Sequence, residues 1–113
     1  MAFVESYTGY AVDEHKNKVI IRACTYQIPP TIPAGGSKEI KASLPGGFTD
    51  FDNIKAVATI AYDSVNDRKV TCEAGIGYEG NNMNPTLVVK VYNVGTNEIS
   101  GENVNVHVIL VGQ

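Results

Sequence analysis

Apolar residues recur at every second position along much of this chain, and a period of two belongs to a β-strand with one face buried. From Lys38 to Leu44, Ile40, Ala42 and Leu44 fall on one side and Glu39, Lys41 and Ser43 on the other. Between Val70 and Tyr78 the same pattern sets Val70, Cys72, Ala74, Ile76 and Tyr78 against Thr71, Glu73, Gly75 and Gly77. The run Ile54 to Tyr62 alternates too, but Val57 and Ala61 make its second face only partly polar, which predicts a strand covered on both sides. Leu87 to Val94 and Val104 to Val111 are rich in valine, whose branched β-carbon suits a pleated surface better than a helix.

Near the start, Tyr7 to Val12 and Val19 to Tyr26 flank the polar stretch Asp13-Glu14-His15-Lys16-Asn17-Lys18, which reads as a hairpin loop. Pro29-Pro30, Pro33-Ala34-Gly35-Gly36, Pro45-Gly46-Gly47, Gly80 to Pro85 and Gly95 to Glu102 mark the remaining breaks. No segment of helical period is long enough to cross over between parallel strands, so hairpins and loops between sheets must join them. The expected fold is all-β, a small antiparallel β-sandwich of about six to seven strands. Residues 1–30 form an N-terminal hairpin or attachment segment of the same domain, and 31–113 form the sandwich core. Valine-rich edge strands, with unpaired backbone groups and apolar side chains, predict association.

A chain of 113 residues is the size of one domain and can bury roughly 65% of its unfolded surface. Nine Lys and Arg against twelve Asp and Glu leave a net charge of −3, with no basic run to neutralise a phosphate backbone, so nucleic acid is not an expected partner. The opening Met1-Ala2-Phe3-Val4-Glu5-Ser6 lacks a basic segment followed by an apolar one. No stretch approaches the ~18 apolar residues of a membrane span. The reading is a protein made in the cytosol that does not enter the membrane.

The side chains that carry chemistry are scattered. His15 sits in the charged loop, and His107 alternates with Val106 and Val108, facing either solvent or a subunit interface. Asp50-Phe51-Asp52-Asn53 and Asp63-Ser64-Val65-Asn66-Asp67 cluster oxygen ligands, but neither forms a full calcium loop, and turn chemistry accounts for both. Gly75-Ile76-Gly77 lies within a strand pattern, and no helix follows Gly46-Gly47 to offer free amides to a phosphate. Cys24 and Cys72 lie in strand runs and read as buried thiols; a disulfide would need Cα atoms within roughly 7 Å. Tyr7, Tyr10, Tyr26, Tyr62, Tyr78 and Tyr92 are candidates for an aromatic rim serving interfaces or sugars, or for core and sheet-surface packing. No catalytic, cofactor-binding or metal-binding residue is expected, and the chain does not read as an enzyme.

From Ile32 onward the features follow an order: Ile32-Pro33-Ala34-Gly35-Gly36-Ser37, an amphipathic strand, a Phe-containing loop, an Ile/Val/Ala strand, and the closing Val104-Asn105-Val106-His107-Val108-Ile109-Leu110-Val111-Gly112. Over about 80 residues this resembles the small β-sandwich of bacteriophage tail-fibre and H-type lectin domains, although the Trp usual in that family's closing strand is absent. The resemblance implies a homotrimer and a virion structural protein, part of a head or tail appendage (decoration, fibre or baseplate) that binds other virion subunits. The alternative it implies is a lectin-like module contacting host-surface glycans, through loops around Gly80 to Pro85 or Gly95 to Gly101. The localisation expected is the virion, after synthesis in the host cytoplasm.

Overall fold

The computed structural model describes residues 2–60, 69–79, 84–101 and 103–113. Its seven strands are β1 (Ala2–Val12), β2 (Lys18–Ile28), β3 (Ser37–Ser43), β4 (Lys55–Ile60), β5 (Val70–Glu79), β6 (Asn84–Asn93) and β7 (Val104–Gly112). One turn of 3₁₀ helix, Phe51–Asn53, leads into β4. The strands form two antiparallel sheets, in the orders β1-β2-β7-β4 and β3-β6-β5. The chain is thus a small all-β sandwich.

The β1–β2 hairpin is shaped by Asp13, whose carboxylate Oδ1 accepts the backbone N–H of His15 at 2.9 Å and of Asn17 at 2.8 Å. That support lets Lys16 take the left-handed region at φ 64°, the turn conformation that closes the loop. β2 then pairs with β7 from Ile20↔Gly112 to Ile28↔Val104, and β7 pairs on its other side with β4 from Lys55↔Val111 to Ile60↔Val106.

The alternation seen in the sequence decides which face goes inside. On β7, Val104, Val106, Val108 and Leu110 are buried, while Asn105, His107 and Ile109 face out. Their partners across the ladder, Ile28, Tyr26 and Cys24 on β2, are buried with them. The other sheet answers with Leu87, Val89 and Val91 of β6, flanked by Ile40 and Ala42 of β3 and by Cys72, Ala74 and Ile76 of β5. Each fully buried Val or Leu contributes about 1.5–3 kcal/mol of transfer free energy, so the two central strands supply much of the driving force.

Gly112 shows how tightly the end of β7 is packed: a Cβ there would meet Ile54 Cγ1 at 3.1 Å and the Phe48 ring at 3.2 Å. The carbonyl of Gln113 then accepts the N–H groups of Thr49 (2.7 Å) and Asp50 (2.9 Å), tying the loop before β4 to the end of β7. At the other pole Asn93 is buried, and its amide is fully engaged. Nδ2 donates to the carbonyls of Ile32 (3.0 Å) and Asn97 (2.8 Å), while Oδ1 accepts Gly95 N–H at 3.0 Å. Together with the Ile32–Ile99 bridge, it fixes the loop between β6 and β7 onto the segment before β3.

Three expectations are corrected. The valine-rich strands β6 and β7 are central rather than edge strands, because a strand paired on both sides and facing the opposite sheet is where β-branched residues pack best. β4 is covered on one side only: Val57 is 59% exposed among the described residues. Pro85 lies inside β6 rather than in a loop; the β3–β6 ladder begins at Thr86, so Pro85 sits where β6 is unpaired on the β3 side and its missing N–H is not required there.

Two stability outcomes follow. Leu110→Ala is expected to cost about 2–5 kcal/mol in urea unfolding, whereas the outward β7 residue Asn105 substituted Asn105→Ser stays within about 0.5 kcal/mol of the parent. Asn93→Ala takes their side-chain partner from the Asn97 carbonyl and the Gly95 N–H, while the Ile32 carbonyl keeps the Ile99 N–H, and thermal unfolding is expected to report a loss of about 1–3 kcal/mol.

Candidate functional site

The core takes up the inner faces of the central strands, and the two outer faces of the sandwich differ in kind. On the three-stranded sheet, register places Glu39, Lys90 and Glu73 in one row and Ser37, Tyr92 and Thr71 in the next. The Tyr92 hydroxyl donates to Glu73 Oε1 at 2.7 Å, and Lys90 Nζ stands 5.0 Å from the centre of the Tyr92 ring. This is a solvated face of alternating charge.

The four-stranded sheet shows the opposite character. Its outward rows are Ile21, Val111 and Lys55, then Ala23, Ile109 and Val57, then Thr25, His107 and Thr59. Val57 is 59% and Ile109 46% exposed, and Val19, Ile21, Ala23 and Val111 are half-buried around them. An apolar belt therefore crosses β2, β7 and β4, bounded on one side by a polar row. Contiguous apolar surface of this kind marks an interaction face more often than isolated exposed aliphatics do.

In that polar row Thr25 Oγ1 and His107 Nδ1 are 2.9 Å apart, and the imidazole tautomer sets which of them donates. Thr25 is buried, and among the described residues no carboxylate is hydrogen-bonded to either side chain. His107 thus lies on the outer face beside the apolar belt, whereas His15 is an exposed loop residue 3.5 Å from Glu14 Oε1.

The other residues singled out in the sequence do not converge. Asn53 Nδ2 donates to Asp50 Oδ2 at 2.8 Å, and Asp52 Oδ1 accepts the Tyr78 hydroxyl at 2.5 Å, so this cluster braces the turn before β4 against the end of β5. Asp63-Ser64-Val65-Asn66-Asp67 lies outside the described residues, as do 80–83 of the loop before β6. Among the described residues no group of three or more His, Cys, Asp or Glu side chains is placed to hold a metal ion. Cys24 and Cys72 are free thiols on different sheets; Cys24 is buried, Cys72 is half-buried, and burial pushes the Cys72 thiol up from its usual pKa. Gly75 and Gly77 are ordinary members of β5.

The tyrosines do not make one rim. Tyr26 belongs to the core, where burial chiefly, with help from Cys24, holds its hydroxyl protonated. Tyr10 stands on the inner face of β1, Tyr78 at the end of β5 and Tyr92 on the charged outer face, while the side chains of Tyr7 and Tyr62 lie outside the described residues. The apolar belt was the feature hardest to read in advance, although the partly polar second face of β4 and the adjacent Ile109 and Leu110 carried a trace of it.

No family model, no curated protein and no solved structure matches this chain.

Hydrogen bonding to Asp52, then partial desolvation, raises the Tyr78 pKa above the ordinary tyrosine value; Tyr92 is raised in the same order of causes by Glu73. A phenol whose folded pKa is raised favours the folded state below its unfolded pKa, and that contribution is lost as pH climbs through the folded value. Alkaline absorbance titration of Asp52→Asn is expected to show one tyrosine ionising at lower pH than in the parent.

Proposed function

We propose that this chain is a structural protein of a bacteriophage virion, an oligomeric β-sandwich module of a head or tail appendage whose work is to bind other subunits. The observation that carries the reading is the contrast between the two outer faces: one charged and fit for water, the other crossed by the belt of Ile21, Ala23, Ile109, Val111 and Val57. A face of this kind is suited to burial against protein, and packing copies of the chain around an axis covers every belt at once. The virion placement rests on the resemblance of the strand order and closing strand to tail-fibre domains, and the homotrimer is the stoichiometry that this likeness suggests.

Glycan binding draws less support. Tyr10, Tyr78 and Tyr92 stand on three separate surfaces, so they offer no shared stacking platform for a sugar. The Gly95–Gly101 loop is pinned from within by Asn93 and by the buried Ile99.

Light scattering coupled to size exclusion is expected to give a trimer for the parent protein. Ile109→Lys or Val57→Lys, each placing a charge in the belt without touching the core, is expected to give a monomer with an unchanged circular-dichroism spectrum. A parent protein that is monomeric at all concentrations would remove self-assembly from this reading.

A further inference from the structure

The sandwich sets four strands against three. β4 lies against β5 at one side and β2 approaches β3 at the other, so among the described strands β1, hydrogen-bonded beyond β2, extends past the last strand of the facing sheet. Its inward positions show this directly: Tyr10 is 62% and Val12 66% exposed, and Thr8 is exposed as well. On the facing sheet β3 pairs with β6 alone, so its other edge, seven residues long, is open on the same side of the molecule. Neighbouring strands are spaced about 4.8 Å apart, and the position next to β3 and opposite β1 is the place of one missing strand.

The charged side chains at the described inward positions around this seam are of one sign. Lys18 Nζ stands 4.1 Å from the centre of the Tyr10 ring. Arg22 occupies the inward position of β2 between Thr8 and Leu110, and its Nε is buried with no hydrogen-bond partner. Lys38 shares the inward face of β3 with Ile40 and Ala42, and its Nζ donates to the Pro30 carbonyl at 3.1 Å. Inward positions 8, 10 and 12 of β1, those of β2 and those of β3 carry no carboxylate. An inward lysine on an edge strand discourages a purely apolar strand from adding there, yet it suits one that brings an acid.

We infer that the seam between the free edge of β3 and the inner face of β1 binds one extended segment of a partner protein, which adds to β3 as a further strand and turns a carboxylate toward Arg22. Main-chain hydrogen bonds to β3 supply the affinity, and the inward carboxylate supplies selectivity. Tyr10 and Val12 then cover the segment's remaining inward side chains, completing a sandwich of four strands on four. This surface lies apart from the apolar belt, so the two proposals stand or fall separately.

The test uses the intact protein and three nine-residue peptides in which serine alternates with valine, one inward valine being replaced by Glu, by Gln or by Lys. Binding is followed by amide chemical shifts and hydrogen exchange. The Glu peptide is expected to bind on the order of tenfold tighter than the Gln peptide, with the Lys peptide weakest, and new protection is expected at those amides of Ser37–Ser43 that point away from β6. Arg22→Gln is expected to erase most of the difference between the Glu and Gln peptides. Equal binding of all three peptides to the parent protein, no binding of any, or new protection confined to β1 would overturn the inference. So would open-edge β3 amides, those pointing away from β6, already protected in the free protein and released on dilution, which would assign the seam to a second copy of this chain.

Discussion

Everything in this molecule hangs on the meeting of two strands. β7 brings Val104, Val106, Val108 and Leu110 to the middle of one sheet, and β6 brings Leu87, Val89 and Val91 to the middle of the other. Branched side chains standing on facing pleats have few rotamers to lose and interdigitate closely, which is why the core tolerates so little freedom around them. The flanking strands bring smaller or partly buried residues, among them Ala42, Ala56, Ala58 and Ala74, that fit around this spine. Gly112 belongs to the same logic: the Phe48 ring and Ile54 can close over the end of β7 because the last strand residue has no side chain.

Strand existence and the inside or outside of each residue were legible in the sequence, since both follow from parity alone. Ile40, Ala42, Cys72, Ala74 and Ile76 all turn toward the core as their alternation predicts. Neighbour order was not legible, because a period of two says which face is buried and nothing about which strand lies alongside. Hence the valine content of β6 and β7 suggested exposed edges, when it reflects central positions. Asn93 was equally hidden: a lone asparagine near a glycine reads as turn chemistry, and its three hydrogen bonds exist only once the Gly95–Ile99 loop has folded back over Ile32.

The candidate surfaces were less legible still, for a physical reason. A belt is a property of several strands in register, and Ile21, Val111, Ile109 and Val57 become one surface only through pairings separated by most of the chain. Individually each is an aliphatic residue at an outward position, which is common on protein surfaces. The same holds for Arg22, whose Nε is buried without a hydrogen-bond partner only because β1 and β7 lie to either side of it. Polar and apolar outer faces on the two sheets give the sandwich a front and a back, and the core packing that stabilises the fold makes no use of that difference.

The position of β7 also governs the order in which the fold can come together. β2 and β4 belong to one sheet but share no hydrogen bond, since β7 lies between them. During synthesis from the N-terminus, the β1–β2 hairpin, β4 and the whole three-stranded sheet emerge before the strand that joins them. Until residues 104–112 have left the ribosome, Tyr26, Ile28 and Cys24 have no partners on the β7 side and the inner face of β6 lacks the strand it closes against. Folding of the four-stranded sheet is therefore a late event set by its most distant pairings, and the nascent chain must carry an open apolar face until the closing strand arrives.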